Sequence, residues 1–177
     1  SLVEDLKREL EKAKEEIEKI VRDLERELDR VIKENERLIR ENEDTVRKAL
    51  ERLRRQDVDE RIIRELEKKL RESVEESKKS LEEVEREVDE VRKRLDELVK
   101  ELEKRVREVI EELRRVREED VLRELKDRVR RIVEEVARRL EELLKKVKDL
   151  VKKSLKTNED LLRKTEELVR RAEERVK

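Results

Sequence analysis

The chain has 177 residues, of which 60% are charged and 33% are hydrophobic, and its formal net charge is −1. It contains no Gly, Pro, Cys, Met, His or aromatic residue, so imidazole, thiolate and haem-ligand chemistry are excluded. The balance of 53 basic against 54 acidic residues also argues against a nucleic-acid-binding surface. We therefore expect no enzyme activity, no cofactor and no nucleic-acid partner.

The composition predicts an all-α protein. Glu, Lys, Arg, Leu and Ala favour helices and make up most of the chain. No apolar stretch approaches the length of a membrane span, and residues 1–5 lack the basic and apolar regions of a signal peptide. We expect a soluble chain, consistent with cytoplasmic recombinant expression, whose localisation the sequence leaves unknown.

The first predicted helix spans about residues 2–55, and Ser1 is its expected N-cap. Its core stripe advances in steps of three and four and repeats after 18 residues, which is five turns of 3.6 residues. Such a stripe stays on one side of a nearly straight helix about 80 Å long. Its first members are Leu6, Leu10, Ala13, Ile17, Ile20, Leu24, Leu28 and Val31.

The second predicted helix spans about residues 60–117. The apolar repeat stops at residues 55–59, where Asp59 has the side chain of a good N-cap. Val58 and Ile63 occupy the two positions of a hydrophobic staple around it. Beyond this break the 18-residue spacing resumes, so the second helix repeats the pattern of the first.

The third predicted helix spans about residues 121–176, after a second break at residues 117–120 in which Asp120 is the expected N-cap. Connections this short favour antiparallel neighbours. In that arrangement, facing core residues of the first and second helices have numbers that add up to 115. For the second and third helices the numbers add up to 238.

One register therefore aligns the core positions of all three predicted helices. The predicted fold is an all-α, antiparallel, nearly untwisted single-chain three-helix bundle, with helices of about 55 residues and one domain over residues 1–177. A monomer is expected, and a homo-oligomer or a domain swap through a straightened loop stays open.

Eight positions of the predicted core carry uncharged polar residues: Asn35, Asn42, Ser73, Ser77, Ser80, Ser154, Asn158 and Thr165. The register gathers them into four successive layers. One layer contains Asn35, Ser80 and Asn158, and another contains Asn42, Ser73 and Thr165. A buried polar group without a partner costs about 1–3 kcal/mol, so we expect these groups to bond one another and to specify the helix register, as a buried Asn does in coiled coils.

The polar layers are also open to other functions. A pocket for water or a small molecule could be lined by amides and hydroxyls. A Ser or Thr nucleophile would need a base, and only Lys or carboxylates on the outer faces could supply one. A di-metal site needs inward carboxylates, usually with a Glu-x-x-His element, and this core has neither. We expect no metal and no catalytic residue.

A further set of apolar residues lies beside the core stripes, again at 18-residue spacing: Val3, Val21, Ile39, Leu81, Val99, Val133, Val151 and Val169. These residues either widen the buried face of each helix or form a seam. In the second case the chain is a helical interaction module that self-associates or binds another helix. The charged runs around them are typical of solvated faces with ion pairs one helical turn apart.

Taken together, these features resemble computationally designed helical bundles with parametrically generated backbones. The resemblance covers the whole chain and rests on the 18-residue repeat, the Glu/Lys/Arg surface, the eight missing residue types and the polar layers in a Leu/Ile/Val core. It implies a hyperstable monomeric scaffold with no natural substrate. The loops depart from the usual pattern, because such designs often place Gly after a helix.

Overall fold

A computed structural model describes residues 2–116 and 118–176, with the side chain of Val176 excepted. Helix α1 spans Leu2–Arg55, α2 spans Glu60–Arg115 and α3 spans Glu119–Val176, with 54, 56 and 58 residues. The described residues contain no β-strand, and the predicted all-α three-helix bundle is confirmed. Helix α1 has the predicted bounds, whereas α2 ends earlier and α3 begins earlier than the sequence suggested.

The turn before α2 is held by Asp59. Its side-chain Oδ1 accepts the backbone N–H of Arg61 at 3.1 Å, and its carbonyl accepts the N–H groups of Ile62 and Ile63 at 3.0 and 3.3 Å. These are the bonds of an N-cap residue. Val58 is half-buried and packs against the same apolar cluster that contains buried Ile63, as a hydrophobic staple requires.

The start of α3 corrects one expectation from the sequence. Asp120 lies inside the first turn of α3 and is not its N-cap. The carbonyl of Glu118 accepts the N–H of Leu122 at 3.3 Å, so the helix starts two residues earlier than predicted. Asp120 instead places a negative charge near the positive end of the helix dipole. The other predicted cap, Ser1, lies outside the described residues.

The tertiary contacts divide the chain into two compact units. Unit 1 comprises Ser1–Glu27 and Asp89–Lys148, and unit 2 comprises Leu28–Val88 and Asp149–Lys177. Each unit contains a segment of all three helices. Among the described side chains, every buried residue of unit 1 is apolar, whereas unit 2 contains all of the buried polar residues.

Ion pairs between helices give the register within each unit. In unit 2 the α1–α2 pairs are Glu43–Lys78 and Arg54–Glu67, and the residue numbers of both pairs add up to 121. In unit 1 the numbers of each described α2–α3 pair add up to 240. These pairs are Glu101–Arg139, Arg105–Glu135 and Glu112–Arg128. A constant sum means that two helices run in opposite directions, so helices that follow one another in the chain are antiparallel. The α2–α3 sum is two above the predicted core value of 238, whereas the α1–α2 sum is six above the predicted 115, so the predicted α1–α2 register is wrong.

The core stripe of α1 departs from the predicted one in unit 1. Ile20, expected in the core, is 43% exposed, while Val21 beside it is only 4% exposed. Leu38, 18 residues after Ile20, is buried in unit 2. In unit 1 the core stripe of α1 therefore passes through Val21 rather than Ile20.

Candidate functional site

The buried polar residues of unit 2 form the most distinctive chemical feature of the described chain. Seven of the eight predicted polar core residues are buried: Asn35, Asn42, Ser73, Ser77, Ser154, Asn158 and Thr165. They come from all three helices. We call these seven residues the polar cluster.

Asn35 of α1 links the polar cluster to α3. Its Oδ1 accepts a hydrogen bond from Nδ2 of Asn158 at 2.5 Å. Its own Nδ2 donates to Oγ of Ser154 at 3.2 Å and to the carbonyl of Val31 at 2.9 Å. The hydroxyl of Ser154 then donates to the carbonyl of Val151 at 3.2 Å. Both amide hydrogens and the amide oxygen of Asn35 are therefore paired.

A second connection joins α1 to α2 through Asn42 and Ser77. Nδ2 of Asn42 donates to Oγ of Ser77 at 3.2 Å. The sequence placed Asn42 in a layer with Ser73 and Thr165, and Ser77 in the adjacent layer. The structure corrects this pairing. The contacts Asn42–Ser77, Glu43–Lys78 and Arg54–Glu67 have residue numbers that add up to 119 or 121 rather than 115, so α1 meets residues of α2 that lie about four positions beyond the predicted ones.

A third connection joins α2 to α3 through Ser73 and Thr165. Their hydroxyl oxygens lie 2.8 Å apart, and Oγ1 of Thr165 also donates to the carbonyl of Leu161 at 3.1 Å. A hydroxyl has one proton, so Thr165 accepts from Ser73. The sequence placed these two residues in one layer, and the structure brings them together.

Each pair of helices in unit 2 is thus joined by a buried polar connection. The α1–α3 connection centres on Asn35, the α1–α2 connection is Asn42–Ser77, and the α2–α3 connection is Ser73–Thr165. Such bonds are directional and short-ranged, unlike apolar contacts. Each helix of unit 2 therefore has a buried, directional polar contact with both of its neighbours.

Two acceptors of the polar cluster are not paired. Oδ1 of Asn42 and Oδ1 of Asn158 are buried and have no hydrogen-bond partner among the described residues. An unpaired buried acceptor costs about 1–3 kcal/mol. The amide of Asn35 is therefore fully paired, whereas Asn42 and Asn158 use only their Nδ2 donors.

Ser80 departs from its predicted role. It is only half-buried, and its side chain makes no hydrogen bond within the part of the chain that the structure describes. The sequence placed it in one layer with Asn35 and Asn158. The physical reason lies in Asn35, because α3 and the backbone of α1 already use all of its hydrogen-bonding groups.

The two threonines beside the cluster face solvent. Thr45 donates to the carbonyl of Glu41 at 2.8 Å, and Thr157 donates to the carbonyl of Lys153 at 2.9 Å. Both bonds stay within one helix and lie in exposed positions. These residues therefore add nothing to the connections between helices.

Comparison with known proteins gives no relative. No protein-family model matches the chain, and neither a curated protein nor a solved structure matches it. Any function of the chain has to be inferred from its own residues and their geometry.

The polar cluster has none of the partners that would activate a hydroxyl. Its hydroxyls bond amides, other hydroxyls and backbone carbonyls in the described part of the chain, whereas a nucleophile needs an adjacent base. Among the described residues, no group of three or more Asp and Glu side chains is placed to hold a metal ion.

No helix of the described chain has a stretch apolar and long enough to cross a bilayer.

On the surface of unit 1, four charged residues form a closed ring across α2 and α3. Arg105 bonds Glu135 at 2.8 Å and Glu101 at 3.2 Å. Arg139 bonds Glu135 at 3.3 Å and also pairs with Glu101. The hydrogen bond from Arg105 lowers the pKa of Glu135, and the same bond raises the pKa of Arg105. The ring ties the two helices together in the register of the core.

A smaller charged group lies on α1 in unit 2. The guanidinium of Arg37 donates to Glu34 at 2.5 Å and to Glu41 at 3.1 Å. The hydrogen bond from Arg37 lowers the pKa of the Glu34 carboxyl. All three residues belong to one helix, so this group stabilises α1 itself and carries no information about its neighbours.

The apolar residues beside the core stripes are mostly covered. Val21, Ile39 and Val169 are buried. The other five are half-buried: Val3, Leu81, Val99, Val133 and Val151. This degree of burial favours the interpretation that they widen the buried face of each helix over the interpretation that they form a free seam.

Proposed function

We propose that the protein is an engineered structural scaffold without natural biochemical activity, in which the polar cluster specifies the register of the helices. The observation that carries the proposal is the set of buried polar connections, one for each pair of helices. The 18-residue repeat and the restricted residue set support an engineered origin. The lack of matching proteins is compatible with it.

The physical basis of register specification is the cost of a mispaired polar group. If α1 moved by one heptad against α3, Asn35 would leave Asn158 and Ser154, and either Asn35 or Asn42, depending on the direction, would enter an apolar layer. Each buried group left unpaired would cost about 1–3 kcal/mol. A core of Leu, Ile and Val alone tolerates such a shift better, because apolar contacts are not directional.

The test replaces the predicted polar layer with apolar residues. In the triple variant Asn35→Leu, Ser80→Val and Asn158→Leu, we expect stability to be preserved or raised, because both members of the Asn35–Asn158 hydrogen bond and the unpaired Oδ1 of Asn158 are exchanged for apolar groups. We expect register specificity to fall in the same variant. Thermal unfolding measures the first effect.

Register is measured by the distance between two spin labels on unit 2. The chain has no Cys, so single cysteines at exposed Arg40 of α1 and Lys164 of α3 take the labels uniquely. The original polar layer should give one narrow distance distribution, and the triple variant should give a broader or split one, since a heptad shift moves a helix by about 10 Å.

A matched control is Thr157→Val, which removes an exposed hydroxyl bonded only within α3. It should change neither the melting temperature nor the distance distribution. A large loss of stability in the triple variant, or a distribution as narrow as that of the unsubstituted chain, would contradict the proposal.

A further inference from the structure

The turn between α1 and α2 contains a residue in an unfavourable backbone conformation. Asp57 has a φ of 55°, in the left-handed region that helices usually fill with Gly after their last turn. The chain contains no Gly that could take this role. Asp tolerates the conformation better than most residues, but its Cβ still carries a steric cost there.

The end of α1 is closed by a hydrogen-bonded turn that contains Gln56 and Asp57. The N–H of Gln56 donates to the carbonyl of Leu53 at 3.2 Å. The turn is therefore formed, and its cost lies in the left-handed conformation of Asp57.

A straight form of the same segment would relieve the steric cost at Asp57. Residues 56–59 contain neither Gly nor Pro, so each can adopt helical dihedral angles. Their N–H groups would then bond carbonyls of the last turn of α1, and one continuous helix would run from Leu2 to Arg115. The N-cap bonds of Asp59 would be lost, and they are the main local restraint on the closed turn.

A straightened turn separates α1 from the α2 and α3 segments of its own chain. We propose that a second copy of this chain is the partner that replaces them, so that two chains exchange α1 and form a domain-swapped dimer with residues 56–59 as the hinge. The exchanged helix makes the same contacts, including Asn35–Asn158 and Asn42–Ser77, but makes them between chains. Such exchange goes beyond the proposed scaffold function.

The specificity of the polar cluster supports this choice of partner. An α1 helix released by the hinge exposes Asn35 and Asn42, and their complementary groups are those of the same α2 and α3 sequences. Short hinge turns under strain are a known route to such exchange. A different helix would leave these amides unpaired, so a second copy fits better than an unrelated apolar helix.

The test distinguishes exchange from simple side-by-side association. Lys78 and Glu43 form an ion pair between α2 and α1, with Nζ and Oε1 3.2 Å apart. The variant Glu43→Cys with Lys78→Cys, in a chain otherwise free of Cys, allows a short bismaleimide to join these positions. Protein at millimolar concentration is heated, cooled, separated by size with mass detection, and then cross-linked at low concentration.

In an exchanged dimer the cross-link joins two chains, so denaturing electrophoresis gives a covalent dimer. In a monomer or a side-by-side dimer the cross-link stays within one chain and the band remains monomeric. We expect the dimer fraction to yield the covalent dimer. A preparation that stays monomeric at every concentration, or a dimer that gives only monomeric bands, would overturn the proposal.

Variants of the hinge test its cause. Asp57→Gly removes the steric cost of the left-handed turn and should lower the dimer association constant about fivefold for each turn, or about 25-fold for the two turns of a dimer. Asp57→Ala should raise it, because Ala tolerates the left-handed region less well than Asp. Asp89→Ala, at an exposed position within α2, is the matched control and should leave it unchanged. If Asp57→Gly and Asp57→Ala had equal dimer association constants, strain at Asp57 would not be what favours the exchange.

Discussion

The hydroxyl of Thr165 accepts a hydrogen bond from Ser73 because its own proton is donated to the carbonyl of Leu161. The two bonds, 2.8 and 3.1 Å long, form a directed chain from α2 to the backbone of α3. Removing the one hydroxyl or the other therefore has different consequences. Ser73 depends on Thr165 as an acceptor, whereas Thr165 keeps its bond to Leu161 without Ser73.

The first prediction concerns this asymmetry. Thr165→Val keeps the shape of the side chain but leaves the buried Ser73 hydroxyl without its acceptor, so we expect a loss of about 1–2 kcal/mol in unfolding free energy. Ser73→Ala leaves the Thr165 proton paired and should cost less than about 1 kcal/mol. Guanidinium unfolding of the two single variants and the double variant gives the coupling between them. Equal costs, or costs that simply add, would contradict the direction of the bond.

The second prediction concerns the unpaired oxygen of Asn42. The double variant Asn42→Val with Ser77→Ala removes a buried acceptor that has no partner in the described chain, together with both members of a neutral hydrogen bond. We expect the unfolding free energy to rise by about 1–2 kcal/mol. The measurement is again guanidinium unfolding, at a temperature high enough to reach the midpoint.

A matched comparison for this variant is Asn35→Val, because the amide of Asn35 is fully paired. This single change removes the acceptor of Asn158 and the donor to Ser154 while both groups stay buried. It should cost about 2 kcal/mol or more. The two variants should change stability in opposite directions. If both raised or both lowered the unfolding free energy, the pairing of the Asn35 amide and the unpaired oxygen of Asn42 would not explain their effects.

Much of this arrangement can be read from the spacing of residue types. The 18-residue repeat gives the helices, because five whole turns return a side chain to the same side of a helix, and it also gives the register of α2 against α3. The predicted layers bring Ser73 to Thr165 and Asn35 to Asn158. These are pairs whose partners lie in one layer, where the position along the axis alone determines which residues are near.

The sequence does not determine every contact between α1 and α2. Asn42 bonds Ser77 rather than Ser73, because the α1–α2 contacts of unit 2 lie about four residues from the predicted register. Ser80 has a core position by spacing but is half-buried, and the amide of Asn35 bonds α3 rather than Ser80. Such contacts depend on side-chain rotamers and on the volumes of facing residues, and the spacing of residue types predicts neither.

The third prediction concerns the two aspartates of the first turn, measured on dilute protein where the chain is monomeric. Asp57→Gly should raise the unfolding free energy by about 1 kcal/mol, because Gly adopts a φ of 55° without steric cost. Asp59→Ala should lower it by about 1 kcal/mol, because the N–H of Arg61 loses its acceptor. Melting temperatures should move in opposite directions, and a shift of both in one direction would contradict these assignments.

The fourth prediction concerns the charged ring of unit 1 and its pH dependence. The pKa of Glu135 is lowered from its ordinary value of 4.5 by the hydrogen bond from Arg105, so folding favours the ionised carboxylate. Its stabilisation is complete above that ordinary value and is lost as the pH falls through the lower pKa of the folded chain. Glu135→Gln should therefore be slightly less stable than the unsubstituted chain at neutral pH.

This difference should shrink as the pH falls below 4.5 and approach zero below the lowered pKa of Glu135 in the folded chain, where both chains carry an uncharged group at position 135. Thermal unfolding at a series of pH values measures it. Added salt should also reduce the difference at neutral pH, because the ring lies at the surface. The neighbouring exposed residue gives the control, since Glu134→Gln changes the net charge equally outside the ring. If the difference in stability between Glu135→Gln and the unsubstituted chain grew on acidification, the ion pair with Arg105 would not be what stabilises the folded chain.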